Sequence, residues 1–272
     1  MNTNEHKNTP LNSVDSQSHL LRLNNMQMRN AELDLKVLQC ARELLALNNV
    51  SSLATALLER LASLAETRDN ETGNHLRRTQ HYIRTLANCL REHSYYADQL
   101  DDRFVELLYK SAPLHDLGKL GIPDHILLKP GRLEPHEFEV IKQHPCLGYQ
   151  ALMQAEALLG VSASALSIAK EIALCHHEKW DGSGYPQGLR GEAIPLSARL
   201  MAVADVYDAI ISRRVYKEAT SHELAAKIIR EGRGRHFDPI VVDAFFNLEE
   251  EFQDIAQRYA FSNVGVQSQF EI

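Results

Sequence analysis

Histidine and carboxylate side chains are the donors that borderline transition metals accept, and this sequence repeatedly sets them side by side. Its 13 histidines include several that fall next to Asp or Glu. Glu71 and His75 are four apart, so on a helix both point from the same face. His115-Asp116 stands where an apolar helical pattern (Phe104, Leu107, Leu108, Leu114) meets Leu117-Gly118. His144 precedes Pro145, which is expected to interrupt a helix there. His176-His177 closes the helical pattern of residues 165–177. Asp205 lies inside the run Met201-Ala202-Val203-Ala204-Asp205-Val206, where an unpaired buried carboxylate would be costly. Each feature alone has an ordinary reading: a satisfied core histidine, a solvated i,i+4 pair, an ion-pair partner. Two adjacent dyads within a set of eight such residues are hard to explain structurally. The mixed donor set suits Fe, Mn or Zn, and carboxylates can bridge two ions. Cys40, Cys89, Cys146 and Cys175 form no CxxC pair, which argues against a zinc ribbon and reads as reduced thiols.

The elements that must position these residues are helices. Leu53, Leu57, Leu61 and Leu64 form one apolar face, and residues 76–90, 104–112, 136–143, 165–177, 197–211 and 221–231 all carry 3.6-type spacing. Alternating strand patterns are absent, so an all-α fold is expected. Upstream, Leu23, Met26, Asn30, Leu33, Val37, Cys40, Leu44 and Leu47 follow an unbroken 3,4 spacing. Asn30 at an a position is the device that fixes register in a parallel two-stranded coiled coil, which implies a homodimer. The alternative is an amphipathic helix packed on its own domain. The expected organisation is a disordered lead over 1–19, a coiled-coil helix over 20–50, a catalytic domain over 51–262 and a tail over 263–272.

With 272 residues, 44% of them apolar, the chain is neither wholly disordered nor short of a core. No stretch approaches about 18 uninterrupted apolar residues, so no membrane span is expected. Residues 1–10 lack the apolar segment of a secretory signal, and a cytoplasmic location is expected. A net charge of −7 argues against a general nucleic-acid binder, although a small cationic site would be invisible in that sum.

His115-Asp116-Leu117-Gly118-Lys119 with Ile122-Pro123-Asp124 resembles the HD phosphohydrolase superfamily. The run from His176-His177-Glu178 through Asp181-Gly182-Ser183-Gly184-Tyr185-Pro186 narrows the resemblance to its HD-GYP subgroup. Arg68-Asp69-Asn70-Glu71-Thr72-Gly73-Asn74-His75, Asp205-Val206-Tyr207-Asp208-Ala209 and Gly234-Arg235-His236-Phe237-Asp238-Pro239 match further motifs, so the likeness covers roughly residues 60–262. It implies an HD-domain helical bundle and a cyclic di-GMP phosphodiesterase holding two or three Fe or Mn ions. The implied ligands are Glu71, His75, His115, Asp116, His144, His176, His177 and Asp205, with Asp116 as the bridging carboxylate. It also implies that Lys119, Arg214 and Lys217 contact the phosphates.

The expected chemistry follows. A hydroxide bridging two metals attacks the phosphodiester in line, opening cyclic di-GMP to linear pGpG and, with a second cut, to GMP. Lys119 would screen charge or protonate the leaving oxygen; its ordinary reading is a surface lysine after a turn. Arg214 and Lys217, three apart, suit a phosphate but also suit a solvated face. The loop carrying Gly182, Gly184, Gly188 and Gly191 can bring backbone close to an anion or form a partner surface, and the resemblance extends that to a GGDEF-type cyclase or another signalling protein. Tyr185 either stacks on a guanine or hydrogen-bonds a phosphate, or else packs as an ordinary aromatic. Two rivals remain: an HD phosphohydrolase acting on another nucleotide, and a scaffold that binds cyclic di-GMP or a partner without turnover.

Overall fold

The computed structural model describes residues 62–63, 74–159, 164–212 and 221–260. The lead, the heptad seam with the homodimer it implies, Glu71, Arg214, Lys217 and the tail lie outside the described residues.

Among the described residues every regular element is helical, apart from one isolated bridge between Arg233 and Phe237. The order is α1 (His75–Arg91), α2 (Asp102–Ser111), two 3-10 turns (Ala112–Leu114 and Leu117–Gly121), α3 (Asp124–Leu127), α4 (Pro135–Ile141), α5 (His144–Leu159) and α6 (Ser164–Cys175). A third 3-10 turn (Gly191–Ala193) then leads into α7 (Leu196–Ile211), α8 (His222–Glu231), α9 (Pro239–Phe246) and α10 (Glu249–Ala260). None of these helices is long and apolar enough to cross a membrane.

Local chemistry sets several boundaries. The Asp101 carboxylate accepts the Phe104 N–H at 2.6 Å and starts α2. Asp238 accepts the Ile240 N–H at 2.8 Å ahead of Pro239, which opens α9. One boundary departs from expectation. Pro145 does not end a helix; it sits in the first turn of α5, and the break falls earlier, after Ile141. A proline there forfeits no hydrogen bond, because first-turn N–H groups have no intrahelical acceptor. His144 therefore opens a helix instead of closing one, while His176 and His177 lie just beyond the end of α6.

Helix α7 is the centre of the bundle. It is buried on nearly every side, from Leu196 through Met201 to Ile210, and it packs against α1, α6, α8 and α9. Helix α1 contributes Tyr82, Ile83, Leu86 and Leu90 to the same core. The core is aromatic at one end: Tyr82 stacks on Phe252 at 4.5 Å between centroids, and Phe252 meets Tyr207 and Phe245 edge-on at 5.1 and 4.9 Å. A smaller apolar cluster (Leu76, Leu114, Leu117, Leu152, Leu166, Ala169, Ala173) joins α1, the His-Asp turn, α5 and α6. Four segment ends and turns and the middle of α7 supply the His and Asp residues described next.

Phe252 is fully buried among three other rings. Phe252→Ala should lower the unfolding free energy by about 3–5 kcal/mol, read by chemical denaturation followed by circular dichroism. A loss under about 1 kcal/mol would place the core's weight elsewhere.

Candidate metal centre

Seven of the eight sequence-predicted ligands lie within the described residues, and the fold gathers them into two groups. Asp116, His144, His176 and His177 form one; His75, His115 and Asp205 form the other. Within each group one donor atom from every residue lies within 4.8 Å of the rest. The segments that supply them are the start of α1, the turn after α2, the start of α5, the end of α6 and the middle of α7.

Asp116 spans the two groups. Its Oδ2 lies 3.2 Å from His115 Nε2 and 2.7 Å from Lys119 Nζ, whereas its Oδ1 lies 3.1 Å from His144 Nε2 and 3.7 Å from His176 Nε2. Asp205 Oδ1 stands 3.8 Å from both His75 Nε2 and His115 Nε2. Burial pushes the Asp116 carboxyl up, but the Lys119 ammonium and His115 outweigh it and hold the group well below the usual carboxylate range. It is an anion throughout the neutral range.

The imidazoles show why the arrangement suits a cation. His115 Nδ1 faces the Ala112 carbonyl at 2.9 Å, His144 Nδ1 the Ile141 carbonyl at 2.7 Å and His176 Nδ1 the Ile172 carbonyl at 2.9 Å. A carbonyl can only accept, so Nδ1 carries the proton in each neutral ring and Nε2 keeps its lone pair. His75 Nδ1 is held in the same sense by Asp208 Oδ2 at 2.8 Å. The inward Nε2 atoms then confront one another: His75 and His115 at 3.4 Å, His144 and His176 at 3.4 Å. Asp116 Oδ1 is buried and makes no hydrogen bond, even with His144 so close. Lone pairs aimed at one another across a buried space fit a metal ion, and outward Nδ1–H bonds are the support metal-ligating histidines use. Burial and the neighbouring His176 and His144 keep His177 neutral, with its pKa well below the ordinary value. The cluster is thus a His/Asp metal-binding site suited to a di-metal centre.

The loop after the His-His pair is built around Glu178. This carboxylate is 2% exposed, and it accepts the Gln187 N–H at 2.7 Å and the Leu189 N–H at 3.0 Å. Tyr185 N–H donates to the His177 carbonyl at 3.2 Å, and the Tyr185 ring stacks on the His177 ring at 4.8 Å. Gly184 permits this closure, because a Cβ there would sit 2.3 Å from the Lys179 nitrogen. The loop is also tied to the chain before α9: Trp180 and Asp181 N–H groups donate to the His236 and Arg235 carbonyls at 3.0 and 2.9 Å.

Sequence reasoning did not single out Glu178, Asp208 or Arg78. Asp208 is 1% exposed and takes two bonds from Arg78, at 2.6 and 2.9 Å, besides the one from His75. Burial pushes its carboxyl up, yet Arg78 and His75 hold it down at about 2. The available signal was spacing: Asp205 and Asp208 are three apart, so a helix that aims one at the site aims the other close by.

Two outcomes follow. Glu178→Ala should speed hydrogen exchange at the Gln187 and Leu189 amides by about tenfold or more, since each loses its acceptor; unchanged protection would mean the loop is held by other contacts. His236, stacked on Phe237 at 4.1 Å, has its pKa pushed down to about 4, by burial first and then by Lys179. Between about pH 6.5 and 4 the unfolded chain takes up a proton that the folded chain refuses, so this group makes stability fall as pH drops through that window. His236→Gln should flatten that part of the stability–pH profile, measured by denaturant titration at successive pH values.

The HD domain family matches this chain over residues 58–241. A "Probable cyclic di-GMP phosphodiesterase" of Vibrio cholerae is 60% identical over 205 residues, 75% of this chain and 46% of that protein. A "Cyclic di-GMP phosphodiesterase" of the same organism is 59% identical over 212 residues, 78% of this chain and 43% of its own length. A "3'3'-cGAMP-specific phosphodiesterase 2", also from Vibrio cholerae, is 38% identical over 196 residues, 72% of this chain and 35% of that protein. The chain spans less than half the length of each of these three relatives. With the matched region containing the His-Asp turn, the His-His pair and the Gly-Tyr-Pro loop, the chain belongs to the HD-domain family, in its HD-GYP group.

Proposed function

We propose that the chain is a metal-dependent phosphodiesterase that hydrolyses cyclic di-GMP to linear pGpG and, with a second cut, to GMP. The observation that carries this reading is the pair of lone-pair clusters joined by Asp116, whose two carboxylate oxygens face one group each. Two relatives at 59% and 60% identity whose names give cyclic di-GMP as substrate support the same reading.

His75, His115, Asp116, His144, His176, His177 and Asp205 would hold the metals, with Glu71 as an eighth ligand should a third ion bind. When bound, Fe or Mn ions supply Lewis acidity to the phosphodiester and make hydroxide available near neutral pH. The chain's own residues do the remaining work. The backbone carbonyls of Ala112, Ile141 and Ile172 keep three imidazoles in the ligating tautomer, and Asp208 does the same for His75. Lys119, at Asp116 Oδ2, places an ammonium at the edge of the cluster, where it screens charge on the phosphate and carries a proton for the departing ribose oxygen. Arg214 and Lys217, by the family resemblance, would contact the phosphates. Ser183, Gln187, Gly188 and Arg190 are exposed on the Gly-Tyr-Pro loop and are available to a cyclase or other signalling partner.

A mixed cyclic dinucleotide is the second reading, favoured by the 38% identical relative named for 3'3'-cGAMP. Anaerobic purification, elemental analysis and side-by-side assays on cyclic di-GMP and 3'3'-cGAMP decide between them. The expected result is bound Fe or Mn and faster turnover of cyclic di-GMP. No hydrolysis of either by fully metallated protein would sink the enzyme reading. Asp116→Ala should lose metal and at least about 10³-fold in turnover while keeping its helical circular dichroism.

A further inference from the structure

The helix just ahead of ligand His144 is unusual among the described elements. Helix α4 buries none of its residues fully, and its Phe138 is 46% exposed. Isolated exposed apolar side chains are ordinary; what distinguishes Phe138 is its surroundings. Its ring lies 6.5 Å from that of Tyr185, at 80°, and the far partner of Tyr185 is the ligand His177. Lys142 places its ammonium 5.9 Å from the Phe138 centroid and 5.5 Å from the Tyr185 centroid, steadied by Glu139 at 3.0 and 3.1 Å. Tyr185 stacks on His177 and has the Lys142 ammonium over its ring, so it forms the side of a corner. Phe138 is the more exposed of the two rings.

We propose that Phe138, with the Lys142 ammonium close by and Tyr185 standing near right angles to it, is the stacking platform for a guanine base of the substrate. The inference rests on the nucleotide reading above and adds to it the place where the base lies. A phosphate drawn to the metal cluster leaves its base outside the polar donors, beside the ring two contacts removed from His177. An aromatic face accepts any base, whereas an ammonium close to it favours the one presenting O6 and N7 acceptors together. The helix is also well placed for this role: the Ile141 carbonyl at its end fixes the His144 ring, so platform and metal ligand share one short segment.

The test separates base from phosphate. Metal-loaded protein is titrated calorimetrically with GMP and, separately, with ribose 5-phosphate. Wild type should bind GMP about tenfold or more tightly than ribose 5-phosphate. Phe138→Ala and Phe138→Leu should both reduce that preference about tenfold, Phe138→Trp should restore it, and Lys142→Met should weaken GMP more than ribose 5-phosphate. Leucine keeps the apolar bulk, so a preference that survives in Phe138→Leu overturns the platform, as does a wild type that binds the two ligands alike. Hydrolysis by the wild type is scored separately. A chain that cleaves cyclic di-GMP but shows no base preference loses only the platform; one that shows the preference but cleaves nothing loses only the reaction.

Discussion

Everything at this site depends on which nitrogen of each imidazole faces outward. His115, His144 and His176 give their Nδ1–H groups to carbonyls three or four residues upstream, and His75 gives its own to Asp208. These bonds are local for the first three, so tautomer and ring orientation are set by the same turns that form the helix ends. That order turns the Nε2 atoms of His144 and His176 toward each other, 3.4 Å apart. A cation that binds there only in the folded state stabilises the fold by mass action.

The pairing of Asp205 and Asp208 shows how the central helix divides its labour. Both sit on α7, one turn apart, and both look toward α1. Asp205 contributes an oxygen to the inner cluster, while Asp208 is locked in a buried ion pair with Arg78 and orients His75 from behind. The guanidinium keeps Asp208 ionised at full burial, and the ionised form is what accepts the His75 N–H. A structural salt bridge therefore does chemical work at one remove.

Most of the residues that cluster were legible because a metal site needs particular residue types at helix-compatible spacing, and His115-Asp116 and His176-His177 are conspicuous when adjacent. The supporting residues were not, for a physical reason. Glu178 reads as one more charged residue after the ligand pair, and only the closed loop reveals that its carboxylate is the acceptor for two backbone amides. Arg78 reads as the polar side of an amphipathic helix until its partner 130 residues away is known. The start of α5 was misjudged because Pro145 carries two opposite meanings, breaker inside a helix and favoured residue in its first turn, and local sequence does not choose between them. Phe138 is apolar and exposed, a combination that periodicity assigns to no role.

The turn after the His-Asp pair has one further property. A Cβ on Gly118 would lie 1.9 Å from the His144 carbonyl oxygen and 2.5 Å from the Gly148 nitrogen, so this turn rests backbone against backbone on the first turns of α5. Asp116 and His144 thus stand on two main chains in direct contact, with no side chain between them to act as a spacer. Ordinary sequence drift, which adjusts distances by exchanging one side chain for a larger or smaller one, has no purchase on that separation. The separation of Asp116 from His144 is therefore gauged by the thickness of the backbone itself.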